Sequence, residues 1–362
     1  MTDNDEYRRR NGSLEATMQK HGVDCLLLNR TSLVKYLTGA ENVCSWLFAK
    51  QDGRRVALVL ESDYMDYHRQ TLVNDIRTYR THDPLSLCKR VARELELTRH
   101  GLALERFHLK HVQYEMLQTA FGPRVLTGAD AGGLVLESAM SKTPEQIAQM
   151  RDVCRVAASA LEAIHESARI GMTEHDLSRL ADAELHKRGA SSLTYLASGL
   201  RSCLAHAPAG NNVIESGPLI VDLHVSLNGL HCDVARTFFI GNDSESVEMY
   251  GCLRTAVVDT IAELRTGMPL VDVRAAFRRH LKLKSHWATL TGPLLHGVGI
   301  VNAELPSFDY PHVSRGYPEE LPASVVLAVS NIGVYSSRGR GVRYEDTALV
   351  GQEGSEILTA QC

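Results

Sequence analysis

Residues Leu219–Asn242 read LIVDLHVSLNGLHCDVARTFFIGN, two runs of Val, Leu, Ile and Phe interrupted by Asp222, His224, His231 and Asp233. Asn228-Gly229 between the runs is a strong hairpin signal, because Asn and Gly tolerate the positive φ angles of a tight turn. The pattern predicts strands over Leu219–Val225 and Leu230–Ile240, joined at Ser226–Gly229. Side chains alternate faces along a strand. Asp222 with His224, and His231 with Asp233, therefore each share a face, and pairing the arms can bring all four onto a common one. Buried carboxylates are costly unless a cation compensates them. The hairpin reads as part of a metal site whose other ligands lie elsewhere in the chain.

Upstream, helix-like and strand-like stretches alternate: helix at Tyr7–His21, strands at Val23–Leu28 and Arg55–Glu61, helix at Leu85–Leu97, strands at Gly101–Glu105 and Arg124–Leu126. Such alternation predicts a small α/β domain over residues 1–139. The boundary falls around Ser138–Lys142, because Pro144 and Glu145 open a long helix with apolar residues at Ile147, Met150, Val153, Cys154, Ala157 and Leu161. Residues 140–362 then mix the hairpin with helices at Thr173–Arg188, Ser246–Leu264 and Leu270–Leu283, and with strands at Val325–Val329 and Val342–Val350, an α+β pattern.

The chain has 362 residues, 44% hydrophobic and 23% charged, enough for two domains with real cores. A formal net charge of -4 offers no global basic field, so neither nucleic acid nor an anionic membrane is an expected partner. No apolar run reaches the length of a membrane span. The first residues, MTDNDEYRRRNG, carry no secretory pattern, and the eight cysteines are scattered without a CxxC pair. A cytoplasmic protein with reduced thiols is the expectation.

Downstream of the hairpin, His296 lies in the Gly-flanked stretch LLHGVGI, and Glu345 lies in GVRYEDTALV beside a β-type run. Two Asp, one Glu and one His make a mostly oxygen ligand set suited to a divalent Mn, Fe, Co or Zn ion. Carboxylates that bridge can hold a pair of such ions, which together activate water.

Asp222, DVARTF, HGVG and GVRYEDTALV, in that order, resemble the creatinase and Xaa-Pro peptidase (M24) family with its pita-bread fold. VDCLLLNRTSLVKYLTG resembles the opening of that family's N-terminal domain, and KTPEQIAQMR the start of its catalytic-domain helix. The resemblance implies a creatinase-like α/β domain over 1–139 and an α+β pita-bread domain over 140–362. It also implies metal ligands at Asp222, Asp233, His296 and Glu345, a substrate-facing catalytic histidine at His206 in LAHAPAGNN, and a homodimer.

Several departures redirect the expected chemistry. The family's further glutamate ligand should fall near Val329 or Ser330, where this chain reads LAVSNIGVY without a carboxylate. The family's DxG has become Asp222-Leu-His224, which makes His224 a candidate substitute ligand, so that one ion or two can be bound. Ala303 replaces a histidine that peptidase members keep, and Leu295 replaces a glycine, narrowing the approach to His296. AELPS, with Glu304, resembles the TExPS of members acting on small non-peptide substrates, including the dimethylsulfoniopropionate lyases. Glu304 and Arg236, with His206, are the expected substrate-side residues, Arg236 by orienting carboxylates. His231 is expected to be structural. The reading is a metal-dependent enzyme hydrolysing a C–N bond in a small polar, zwitterionic metabolite bound between the hairpin face and the His206 loop. Two alternatives stand beside it: a metal-assisted lyase or other non-hydrolytic enzyme, and a metal-depleted pseudoenzyme or binding protein.

Overall fold

The computed structural model describes residues 3–41, 46–80, 84–97, 101–106, 108–121, 129–290, 293–307 and 318–362; the strand expected at Arg124–Leu126 lies outside them. The chain divides into two compact units, Met1–Ala139 and Met140–Cys362.

In the first unit, strands β1 (Cys25–Leu28), β2 (Trp46–Lys50), β3 (Arg55–Leu60), β4 (Asp75–Tyr79) and β5 (Leu102–Leu104) form a mixed sheet in the order β4-β3-β2-β1-β5. Around it lie helices α1 (Asp3–Lys20), α2 (Thr31–Thr38), α3 (Tyr64–Gln70), α4 (Leu85–Glu94), α5 (His111–Phe121) and α6 (Ala131–Ser138). The inner strand β1 is buried at every position, which is why it reads as an unbroken apolar run, CLLL, instead of alternating.

The second unit opens with α7 (Pro144–Ser167) and α8 (Glu174–His186). Each starts with a capping box: the Thr143 and Thr173 hydroxyls accept the amides of Gln146 and Asp176, whose side chains reach back to the cap amides. Strands β6 (Ser191–Ser198), β7 (Gly217–Leu227) and β8 (Leu230–Ile240) pair antiparallel in the order β6-β7-β8. One face of this sheet (Val221, Leu223, Val225, Cys232, Val234) packs on Val153, Ala157, Leu161 and Leu177 of the two helices. Helices α9 (Ser244–Glu263) and α10 (Leu270–His280) share a second core with the remaining strands. These are β9 (Trp287–Leu290), β10 (Leu295–Gly297), β11 (Glu304–Ser307), β12 (Val325–Val329), β13 (Gly333–Ser336), β14 (Gly341–Arg343), β15 (Asp346–Val350) and β16 (Ser355–Ile357). They form two sheets, ordered β11-β10-β12-β15-β16 and β14-β13-β9. No helix among the described residues is long and apolar enough to cross a membrane.

The hairpin forms with its second arm as expected and its first arm extended to Gly217–Leu227, so that its turn contracts to Asn228 and Gly229, at φ 53° and 83°. Both central residues thus take the positive φ that a two-residue hairpin turn demands. The run at Val342–Val350 is not one strand. It splits into β14 and β15, which belong to different sheets, with Tyr344-Glu345 between them. At the split, Glu345 pairs instead with β8: the Ala235 amide donates to the Glu345 carbonyl at 3.2 Å, and the Glu345 amide to the Ala235 carbonyl at 3.0 Å. The adjacent acids Glu345-Asp346 interrupt the apolar alternation there, but nothing local says that the two halves join different sheets.

Candidate metal centre

Register places the hairpin's polar residues. Asp222 on β7 pairs with Ala235 on β8, and His224 pairs with Asp233, so Asp222, His224 and Asp233 share the face opposite the helices. On the other side, His296 of β10 pairs with Ala328 of β12, while its neighbour Leu295 pairs with Val329 and is fully buried in the second core. Leu295 therefore faces away from His296 and does not narrow its approach, contrary to expectation. The Glu345 link to β8 brings this second group against the first.

The result is two clusters that share Asp233: Asp222, His224 and Asp233, and Asp233, His296 and Glu345, with the ligand atoms of each within 4.8 Å of one another. His224 Nε2 stands 3.5 Å from Asp222 Oδ1 and 3.5 Å from Asp233 Oδ1. His296 Nε2 stands 3.5 Å from Asp233 Oδ2 and 3.9 Å from Glu345 Oε1. His296 Nδ1 lies 3.0 Å from the Gly297 carbonyl, which can only accept. The proton is thereby held on Nδ1, leaving the Nε2 lone pair free to ligate. Asn302 Nδ2 donates to Asp233 Oδ2 at 2.9 Å.

Arg343 is 1% exposed and ties the cluster together. Its Nη1 donates to Asp222 Oδ2 at 2.5 Å and to the Ala205 carbonyl at 2.8 Å. Its Nη2 donates to Glu345 Oε2 at 3.3 Å and to Asn331 Oδ1. Glu345 pairs with this arginine through one oxygen only. Asp222 Oδ1, Asp233 Oδ1 and Glu345 Oε1 remain buried without a hydrogen-bond partner. Orphaned buried carboxylate oxygens are expensive, and three carboxylates face one guanidinium. These residues fit a divalent cation in both charge and donor type.

Titration follows the same charges. Burial raises the Glu345 carboxyl and the Asp233 charge adds to it, beyond what Arg343 offsets, so it is pushed up to about 8. Burial alone would lower the His224 imidazole, but its contact with Asp222 and the charges of Asp233, Asp222 and Glu345 push it up to about 9. His296 is likewise raised against its burial by Asp233 and Glu345. Asp233 itself is held below its ordinary value, because contact with His296 and the charge of His224 outweigh its burial.

His206 lies outside both clusters, on an exposed loop after β6, with its ring 5.2 Å from that of Tyr195. Tyr195 pairs with Asp222 in register and also packs edge-on against His224, ring centroids 5.4 Å apart, so one tyrosine touches both histidines. Burial, and then the Arg343 charge, hold the His206 imidazole below its usual value.

Two expected substrate-side residues are placed elsewhere. The Glu304 side chain is wholly buried in an ion pair with Lys142 and accepts the Ile300 amide at 2.9 Å, so it braces the turn after His296. Arg236 donates to Asp346 Oδ1 at 2.5 Å and to the Glu345 carbonyl at 2.7 Å, and it lies over the Tyr344 ring at 4.3 Å. It supports the ligand strand from behind. His231 is structural, its amide and Nδ1 both contacting the Gly299 carbonyl, at 2.8 and 3.0 Å. At the position of the absent carboxylate, Ser330 is fully buried at φ 84° with an unpartnered hydroxyl. Asn302 and Asn331 carried no local signal, since each matters only through a partner far away in sequence.

Comparison with known proteins agrees with this architecture. Residues 148–352 match the model of metallopeptidase family M24, and residues 10–138 match that of the creatinase/prolidase N-terminal domain. The Xaa-Pro dipeptidase of Pyrococcus furiosus is 29% identical over 60% of this chain and 62% of its own length, so the match spans less than two thirds of that relative. An uncharacterized peptidase of Bacillus subtilis is 23% identical over 93% of this chain and 94% of that protein. Among solved structures, the Xaa-Pro dipeptidase from Bacillus anthracis superposes with a TM-score of 0.83 at 21% identity, covering 98% of both chains. The prolidase from Thermococcus sibiricus gives 0.85 at 19% identity, covering 99% of this chain and 97% of that one. The chain belongs to metallopeptidase family M24, a pita-bread metallohydrolase behind a creatinase/prolidase N-terminal domain.

Proposed function

We propose that the enzyme hydrolyses a C–N bond in a small polar, zwitterionic molecule. The carrying observation is the pair of three-residue clusters sharing Asp233, with unpartnered carboxylate oxygens in each. Asp222, His224 and Asp233 would hold one ion, and Asp233, His296 and Glu345 the other, each with one imidazole and two carboxylates. Borderline ions such as Zn or Co suit that mixture best, with Mn and Fe as the oxygen-preferring options. When bound, such ions polarise the scissile group and make water nucleophilic near neutral pH. Arg343 keeps Asp222 and Glu345 oriented and carries part of their charge. His206, uncharged at neutral pH because its value is depressed, is suited to take a proton from the attacking water and return it to the leaving nitrogen.

Two of the named relatives are Xaa-Pro dipeptidases, but Ala303 supports a different substrate here, since it offers no imidazole to a scissile peptide. A lyase on the same site is the second reading, favoured by His224 in place of the family's DxG glycine and by the resemblance of AELPS to the TExPS of the lyases. A homodimer is the assembly the family resemblance supports, and light scattering tests it. The free described cysteines suit a reducing, cytoplasmic setting.

The test is to load purified protein with Zn, Co or Mn, measure metal per chain by mass spectrometry, and screen Xaa-Pro dipeptides, small amides, betaines and sulfonium compounds. Amide turnover with two ions per chain is the expected result. Rapid dipeptide cleavage overturns the argument from Ala303, and elimination products replace hydrolysis with the lyase reading.

A further inference from the structure

We propose that Glu174, the first residue of α8, is the positioning residue of the His206 loop, closing it at its base and so fixing where His206 stands beside the metal cluster. The inference rests on the reading of His206 given above.

The Glu174 carboxylate is fully buried and accepts from both ends of one segment. Where β6 ends, the Ser198 amide and hydroxyl donate to Oε1 at 2.9 and 3.0 Å. Where the loop returns, the Gly210 amide and Asn212 Nδ2 donate to Oε2 at 3.0 and 3.2 Å. From within the loop, Arg201 Nη1 donates to Oε2 while its Nη2 donates to the Pro208 carbonyl at 3.1 Å. The helix backbone repeats the clasp, with the Glu174 amide donating to the Asn212 carbonyl and the His175 amide to the Gly210 carbonyl, both at 3.0 Å.

Only a carboxylate suits this place. Five donors converge on its two oxygens, and an ionised carboxyl is purely an acceptor with about four lone-pair sites. A glutamine would turn an NH2 group toward amides that also donate. A Cβ on Gly210 would lie 2.6 Å from Asn212 Nδ2 and would push that donor away from Oε2. Between the clasped ends, the loop is fastened again just before His206, where Arg343 Nη1 bridges the Ala205 carbonyl and Asp222 Oδ2. Ser202 adds a third tie, accepting the Gly341 amide at 2.8 Å. Glu174 holds the two ends of the loop to α8 while Arg343 and Ser202 tie its interior to the site, so the position of His206 depends on the Glu174 clasp together with those inner ties.

The experiment uses the full metal-loaded chain with Glu174→Gln and, by an independent route, Gly210→Ala, with Glu174→Asp as the conservative variant. Metal per chain should stay at the wild-type value in all three, since no ligand lies in the loop. In Glu174→Gln and Gly210→Ala, amide hydrogen exchange at Ser198 and Gly210 should accelerate at least about tenfold. Carbethoxylation of His206, followed by peptide mass spectrometry, should change in rate at least about threefold as the ring loses its fixed setting. On the substrate found by the screen, kcat should fall by about ten- to a hundredfold with KM within about threefold, the signature of a displaced catalytic group. Glu174→Asp should recover part of each effect. Wild-type exchange in both variants overturns the clasp, and faster exchange with unchanged His206 reactivity overturns the positioning role. Failure of the His206 reading shows up separately, as a His206→Ala enzyme that keeps wild-type turnover while these loop results stand.

Discussion

Asp233 is the residue on which both clusters depend. Its Oδ1 faces His224 and its Oδ2 faces His296, so replacing it by Asn should remove most bound metal from both positions. Replacing His224 by Ala should remove about one ion per chain and leave the His296 ion in place; unchanged stoichiometry would exclude His224 as a ligand. Protons compete for the same atoms. His224 at about 9 and Glu345 at about 8 both bind protons more tightly folded than at their ordinary values of 6.5 and 4.5. In metal-free protein their contribution to stability is therefore greatest below those ordinary values and is lost as pH rises through about 8 to 9. Metal binding must displace these protons, so affinity should rise with pH up to about 9. At pH 7, loading should release about one to two protons per chain, measurable by calorimetry in buffers of different ionisation enthalpy. The even spacing within the pairs Asp222/His224 and His231/Asp233, together with the Asn228-Gly229 turn, made this half of the site legible in the sequence. The roles of Asn302 and Glu174 were not legible, because their partners are set by folding and not by local pattern.

At the scale of elements, strands with clean alternation and marked turns were readable, and those whose meaning depends on a neighbour were not. The hairpin and β12 lie where the pattern put them. The β14–β15 break was not resolved from the sequence, although it decides the site, because only the pairing of Glu345 with Ala235 turns the ligand out of a continuous ladder. Glu304 shows the same limit: a motif resemblance suggested substrate contact, while the fold uses it to hold the turn after His296 through buried Lys142. Replacing Glu304 by Gln would strand a buried ammonium, which costs about 3–5 kcal/mol. A fall of that size in denaturant-measured stability is expected. If the loss is below about 1 kcal/mol, the Lys142 pair is not what braces that turn.

For the whole molecule, the order of helix-like and strand-like stretches and the helix opening at Pro144-Glu145 carried the reading of an α/β stretch followed by an α+β one, because such a pattern does not need any single pairing to be right. The energetic consequence is local to the second unit, since every proposed ligand lies within Met140–Cys362. A ligand that binds only the folded state stabilises it by RT ln(1 + [L]/Kd), about 2.7 kcal/mol at a hundredfold excess over Kd. For a unit of this size each kcal/mol moves the melting temperature by about 2–4 °C, so loading should raise it by about 5–10 °C. Calorimetry with and without a chelator should show that shift in the transition of the second unit, while the transition of Met1–Ala139 stays where it was. Asp233→Asn should melt alike with and without chelator, because the ions are no longer held. A chelator-sensitive transition in that variant, or a shift confined to the first unit, would place the metal somewhere other than the face shared by the hairpin, His296 and Glu345.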